Sequence, residues 1–130
     1  MTGNKISLDT SVAVKLLNDL QFATEFLASF ETVSISAVAV GELLYGAHNS
    51  ARHIANVPRF QHFIDDCHLI PINREVAERY ATLRLQLKKK GFPMPDSDIW
   101  IAAAAICQNL PLATHDKHFP HIDDLVVVTP

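Results

Sequence analysis

TVSISAVAVGELLYGA, residues 32–47, changes its periodicity in the middle. Thr32 to Ser36 is β-branched and alternating, the pattern of a strand. From Ala37 to Ala47 the pattern reads as a helix, and Ser36 stands where an N-cap hydroxyl is wanted. Strand followed by helix is also the order at the start of the chain. Lys5 to Leu8 is a short β-like segment ending at Asp9, with a helical pattern through Val12, Leu16 and Leu17 behind it. Phe22, Phe26, Leu27 and Phe30 then recur at helical spacing.

Downstream, residues 51–66 are expected to form further helix, interrupted or restarted at Pro58. Leu69 to Ile72 reads as a short strand. Asn73 can cap a helix whose core face carries Val76, Tyr80, Leu83 and Leu87, and which stops at Gly91. An apolar helix follows from about Ser97. Leu110 to Thr114 and Leu125 to Val128 supply the last two strands. Strands alternating with helices imply parallel pairing through right-handed crossovers, hence an α/β sandwich. Strands this apolar are expected to be buried on both faces. In such open parallel sheets, ligands bind outside the carboxyl ends of the strands.

Composition sets the outer bounds. At 130 residues, one domain spanning 1–130 is expected, with a real core and no need of staples. Hydrophobic residues are 48% and charged residues 19%, a globular rather than a disordered balance. The longest apolar run, Ile99 to Cys107, is too short for a bilayer span, and MTGNKISLDT has no signal-peptide core. A soluble, cytoplasmic protein without membrane contact is the expectation. Cys67 and Cys107 have no CxxC partner and read as buried core thiols. A formal charge of −3 argues against nucleic-acid binding through bulk positive charge. It leaves room for a nuclease with an acidic site and a basic rim. Lys88, Lys89 and Lys90 form the only basic run, which a solvated helix end explains equally well.

The acids are more informative. Asp9 directly follows the first strand, and Asp116 follows Leu110–Thr114 by two residues, in THDKHF. Glu42 lies in the second turn of the helix leaving the second strand, and Asp96 and Asp98 open the apolar helix. Each therefore falls near one edge of the sheet. Glu42 shares its helical face with Val38, Ala39, Tyr45 and Gly46, so partial burial is expected, and no Lys or Arg lies within a turn to neutralise it. Every acid also has an ordinary reading. Asp9 can be an N-cap, and Asp116 a loop residue. If Asp96 is the N-cap of its helix, Asp98 sits at the second helical position, favoured by the dipole and free to face the cleft. Several acids at one edge repel one another unless a cation neutralises them. Hard oxygen ligands suit Mg²⁺ or Mn²⁺. Such a site activates water and stabilises phosphoryl charge, which is the chemistry of phosphodiester hydrolysis.

LDTSV at 8–12, GELLYGA at 41–47, DSDIWIAAAA at 96–105 and ATHDKHF at 113–119 resemble the ordered acidic motifs of PIN-domain ribonucleases. The similarity is above all to VapC-type toxins of toxin–antitoxin pairs, especially those that cut tRNA. It runs from about Lys5 to Val128. The resemblance implies a PIN-like three-layer sandwich, with a five-stranded parallel sheet flanked by helices. It implies Asp9, Glu42, Asp98 and Asp116 as catalytic acids that bind Mg²⁺ (Mn²⁺ as a substitute), with Asp96 a neighbour of unassigned role. It implies Thr10 and Thr114 as hydroxyls behind the metal ligands. It further implies an RNA substrate, a homodimer and a cognate antitoxin that blocks the site. Ser11 stands where many relatives have asparagine, and the family does not require His115 or His118.

Other chemistries fit less well. His115, His118 and His121 do not share one face of a regular helix around Pro120, so a zinc site is disfavoured. An aspartyl phosphotransferase of the haloacid-dehalogenase type needs a second Asp where Ser11 stands. A phospho-accepting receiver domain needs paired acids near the first strand and a lysine ending a late one. Neither pattern is present. A catalytically silent PIN-like interaction module remains as the non-enzymatic alternative, which dispersed carboxylates would favour.

Overall fold

The computed structural model describes residues 4–130. Five strands, β1 (Lys5–Leu8), β2 (Thr32–Ser36), β3 (His68–Ile70), β4 (Leu112–Ala113) and β5 (Val127–Val128), form one sheet. All neighbours pair in parallel, in the order β3-β2-β1-β4-β5. Six helices connect them: α1 (Thr10–Asn18), α2 (Leu20–Ala28), α3 (Ala37–His48), α4 (His53–Asp66), α5 (Arg74–Lys90) and α6 (Asp96–Cys107). Ile6, Ser7 and Leu8 are buried in succession. Because consecutive strand residues point to opposite faces, helices must cover both sides of β1. This is the expected three-layer α/β sandwich.

The sheet explains where chemistry can occur. From β1 the chain moves outward to β2 and then β3, and afterwards crosses back to add β4 on the other side of β1. The direction of winding thus reverses between β1 and β4, the position at which open α/β sheets form their crevice. Leu8 is level with Ile35 on one side and Ala113 on the other. Asp9 and Thr114 therefore leave adjacent strands side by side.

Local signals account for most element boundaries. Ser36 accepts from the Ala39 N–H, and Asn73 from the Val76 N–H, so both helices start at the expected caps. Gly91 ends α5 in the left-handed conformation at φ 76°. Val76, Leu83 and Leu87 are buried, while Tyr80 is half-buried and stacks on Trp100 of α6, with ring centroids 3.9 Å apart.

Several expectations are corrected. The third strand stops at Ile70, because Pro71 has no N–H to extend the ladder. β4 begins at Leu112, since Pro111 contributes only its carbonyl, which accepts from the Ser7 N–H and hydroxyl. β3 and β5 are edge strands and are not buried on both faces; Leu69 is half exposed. Pro58 does not interrupt α4, which runs through it. Cys67 and Cys107 are free but only half-buried, packed at the margin of the core. Among the described residues, no helix is long and apolar enough to cross a membrane.

Gly91 offers a direct test of the α5 stop. A Cβ there would touch nothing, so Gly91→Ala should cost only backbone strain, about 1–2 kcal/mol. Denaturant unfolding of the two proteins measures it, and an unchanged midpoint would contradict the cap.

Candidate functional site

Asp9 is the anchor. It is 5% exposed, and one oxygen, Oδ1, accepts from the Val12 N–H at 2.9 Å and from the Ser11 hydroxyl at 2.9 Å. The other, Oδ2, accepts from the Thr114 hydroxyl. Asp9 is therefore the N-cap of α1, as its ordinary reading required, and at the same moment the link from β1 to β4. Each carboxylate oxygen has two lone pairs, so capping leaves acceptor capacity unused.

Thr114 is buried and works in both directions. Its hydroxyl donates to Asp9 and accepts from the Asp116 N–H at 2.9 Å. Asp116 in turn accepts on Oδ1 from the His118 N–H at 2.8 Å and lies 2.7 Å from His118 Nδ1. These bonds to His118, the backbone one foremost, hold the Asp116 carboxyl below its ordinary range. On the other flank, Thr10 donates to Glu42 Oε1 at 2.6 Å. Both threonines expected behind the acids thus touch them.

Glu42 departs from expectation. It is exposed, like its neighbours Tyr45 and Gly46, because only the Ala39–Leu43–Ala47 side of α3 meets the core. The cation inferred from its supposed burial is therefore not required there; the Thr10 hydroxyl is its partner.

The start of α6 also differs. Pro95, not Asp96, is the N-cap, and it makes no side-chain cap bond. Asp96 is thereby the first helical residue and Asp98 the third. Two residues along a helix turn a side chain by about 200°. Asp96 accordingly faces α5, where it lies 3.5 Å from the Arg84 guanidinium. Asp98 is half-buried on the other side. Because β4 runs parallel to its neighbours and α6 feeds into it, the N-terminus of α6 lies toward the carboxyl edge of the sheet.

Electrostatics bring the four acids together. The Asp98 carboxyl is pushed up to about 6, first by burial and then by the negative charges of Asp116, Glu42 and Asp9, with His118 opposing. Asp98 is the acid that accepts no side-chain or backbone hydrogen bond among the described residues. The four carboxylates share one field without forming a closed cage. Among the described residues, no three His, Cys, Asp or Glu side chains gather as a ready-made metal site. The donor chemistry still suits a hard cation: oxygens only, excess negative charge, and free lone pairs on Asp98 and on Asp116 Oδ2.

The three histidines do not converge. His118 serves Asp116, and His121 stacks on Phe92 with centroids 3.9 Å apart. Lys90 pairs with Asp123 at 2.7 Å, so part of the basic run is consumed locally. Sequence reasoning missed the roles of Ser11 and His118. Both stand two residues after a strand-end aspartate, the spacing at which an Asx-type turn closes on its own backbone. That spacing was the available signal.

The PIN domain family matches residues 6–125, almost the whole of the chain. This chain belongs to the PIN-domain family. Within it, the chain is of the VapC type. It is 30% identical over 125 residues to Ribonuclease VapC2 of Rickettsia felis, covering 92% of this chain and 93% of that one. Ribonuclease VapC5 of Mycobacterium tuberculosis is 28% identical, with 89% and 86% covered. Solved structures agree. VapBC2 of Rickettsia felis, bound to a DNA fragment from its promoter, superposes with TM-score 0.85 at 27% identity over 95% of this chain and 97% of that chain. VapBC-1 from nontypeable Haemophilus influenzae gives 0.86 at 25% identity, with 95% and 96% covered.

Burial of Asp98, with the repulsion added to it, predicts a stability effect whose sign follows from proton linkage. A raised carboxyl pKa means the folded state holds the proton more tightly than the unfolded chain. Stability from this group therefore rises as pH falls through about 6 and levels off below the ordinary carboxylate range near 4. Without divalent ions, Asp98→Asn should be more stable than the parent at about pH 7.5, on the order of 1 kcal/mol after allowance for solvent screening. The gain should shrink by about pH 5. Thermal melts at both pH values decide it, and a variant less stable at the higher pH would refute the raised Asp98 carboxyl.

Proposed function

We propose that this chain is a metal-dependent endoribonuclease, the toxin of a toxin–antitoxin pair, and that it hydrolyses RNA phosphodiester bonds with water as nucleophile. The observation that carries this is the common field of Asp9, Glu42, Asp98 and Asp116, from four different elements at one sheet edge. Relatives named as VapC ribonucleases over nearly the full chain support it.

In this reading Asp98, Asp116, Asp9 and Glu42 hold Mg²⁺, or Mn²⁺ in its place. The ion supplies Lewis acidity and lowers the pKa of bound water. The remaining work belongs to the protein. Thr114 and Ser11 fix the Asp9 carboxylate, and Thr10 fixes Glu42. Asp98, at the first turn of α6, keeps its oxygens free toward the cleft, and a bound cation would offset the burial and like charge that push its carboxyl up. Asp96 is occupied with Arg84, which argues against a direct part in metal binding. RNA is the substrate class, with tRNA the first to be tried. A cognate antitoxin that covers the site and a homodimeric state belong to the same proposal; the VapBC complexes among the structural neighbours support the antitoxin.

One observation favours a second reading, the silent interaction module. No three of the candidate ligands stand gathered as a metal site. Cleavage assays separate the two. Antitoxin-free protein should cut RNA with Mg²⁺ and stop in EDTA, and folded Asp98→Asn should lose at least about 100-fold in rate. Cutting that survives EDTA, or equal cutting by both proteins, would reject the site. A folded parent that cuts neither total RNA nor tRNA would favour the silent module.

A further inference from the structure

His118 is not among the acids assigned to the metal, yet it addresses one of them with two groups at once. Its backbone N–H and its imidazole Nδ1 both address the same oxygen, Asp116 Oδ1, at 2.8 and 2.7 Å. Asp116 Oδ2 accepts no hydrogen bond among the described residues. A carboxylate gripped twice at one oxygen cannot rotate about its terminal bond without losing both contacts. The grip therefore decides which oxygen is left for the cleft.

Resting on the nuclease reading, we infer that His118 is a positioning residue: it donates through Nδ1–H to Asp116 Oδ1 and so presents Oδ2 as the ligand oxygen for the divalent cation. Three features of the structure support this. The neighbouring acid Asp9 is fixed by analogous means, with hydroxyls from Ser11 and Thr114. Asp116 itself is only tethered at its backbone, through Thr114, so its side chain has no other restraint. It also lies in the loop after β4 rather than on a helix or strand, where an unrestrained side chain loses most order. A carboxylate facing Nδ1 requires a proton on that nitrogen, so neutral His118 must be the Nδ1–H tautomer, with Nε2 free to accept. Partners of this kind that orient a ligand are worth about 10–100-fold in metal affinity.

The test has one arm without metal and one with it. Long-range ¹⁵N–¹H NMR above the imidazole titration range should show the parent's His118 as the Nδ1–H tautomer, and Asp116→Ala should remove that preference. Mn²⁺ binding by calorimetry on full-length, antitoxin-free protein should weaken about 10-fold in His118→Ala. His118→Asn should recover most of the loss, because its amide nitrogen can occupy the place of Nδ1. Melting points of both variants, compared with the parent, guard against unfolding. An Nε2–H tautomer in the parent would overturn the inference. So would His118→Ala binding Mn²⁺ as tightly as the parent while Asp116→Ala does not, a result that leaves the nuclease reading standing. Absence of Mn²⁺ binding by the parent itself would overturn both.

Discussion

A carboxylate that is 5% exposed at the end of a buried strand has to be held on every side, and Asp9 is. Its three donors come from the first turn of α1 and from the residue after β4. Breaking any one would leave buried charge under-satisfied, at a cost of about 1–3 kcal/mol. The Asp9–Thr114 bond sits at the point where the winding of the sheet reverses. There β1 and β4 are already paired, with Leu8 opposite Ala113 and the Asp9 N–H on the Ala113 carbonyl, and the side-chain bond extends that pairing past the strand ends. Together with the Thr114 N–H on the Val128 carbonyl and the Asp116 N–H on the Thr114 hydroxyl, it places the loop that carries Asp116.

Once Asp9, Glu42 and Asp116 are held in place, the repulsion among them has no outlet in side-chain movement. It adds to burial, the larger cause, in pushing the Asp98 carboxyl up, while Asp116, gripped by His118, is held down. Two carboxylates in one field are thus shifted in opposite directions, one by burial and like charge, the other by the bonds it accepts. The apolar body of α6 makes that strain sustainable. Ile99 and Ile101 to Ala105 are buried without a break, so the helix cannot shift to move Asp98 away.

Much of this was legible in the sequence, and the failures have physical causes. Strand and helix order came from periodicity and caps, because Ser36, Asn73 and Gly91 act within one turn of themselves. Strand lengths were overestimated where Pro71 and Pro111 withhold an N–H from the ladder. The cap of α6 was placed one residue late, since Asp is the better capping residue and only tertiary pairing with Arg84 shows that Asp96 is engaged elsewhere. Burial of Glu42 was inferred from its apolar neighbours on α3, but a helical face says nothing about whether another element covers it. The threonines behind the acids were implied by family resemblance, and their bonds to Asp9 and Glu42 appear in the structure. His118 was set aside because the family does not require it, yet its contact depends only on the two-residue spacing after Asp116.

The exposure of Glu42 bears on what can reach the site. Glu42 is exposed, and Asp116 and His118 retain about a third and more than half of their side-chain surface, at 35% and 59%. A small phosphorylated metabolite is ordinarily enclosed on most of its surface, in a cleft that supplies orientation as well as charge. Here Asp9 is buried and Asp98 and Asp116 half-buried, while Glu42 is exposed. Such an edge gives little grip on a small molecule. A polymer that lies across it gains its binding from contacts on either side of the reacting phosphate, so it needs no enclosure at the centre. The openness that weakens the case for a preformed metal cage therefore strengthens the case for a chain-like substrate.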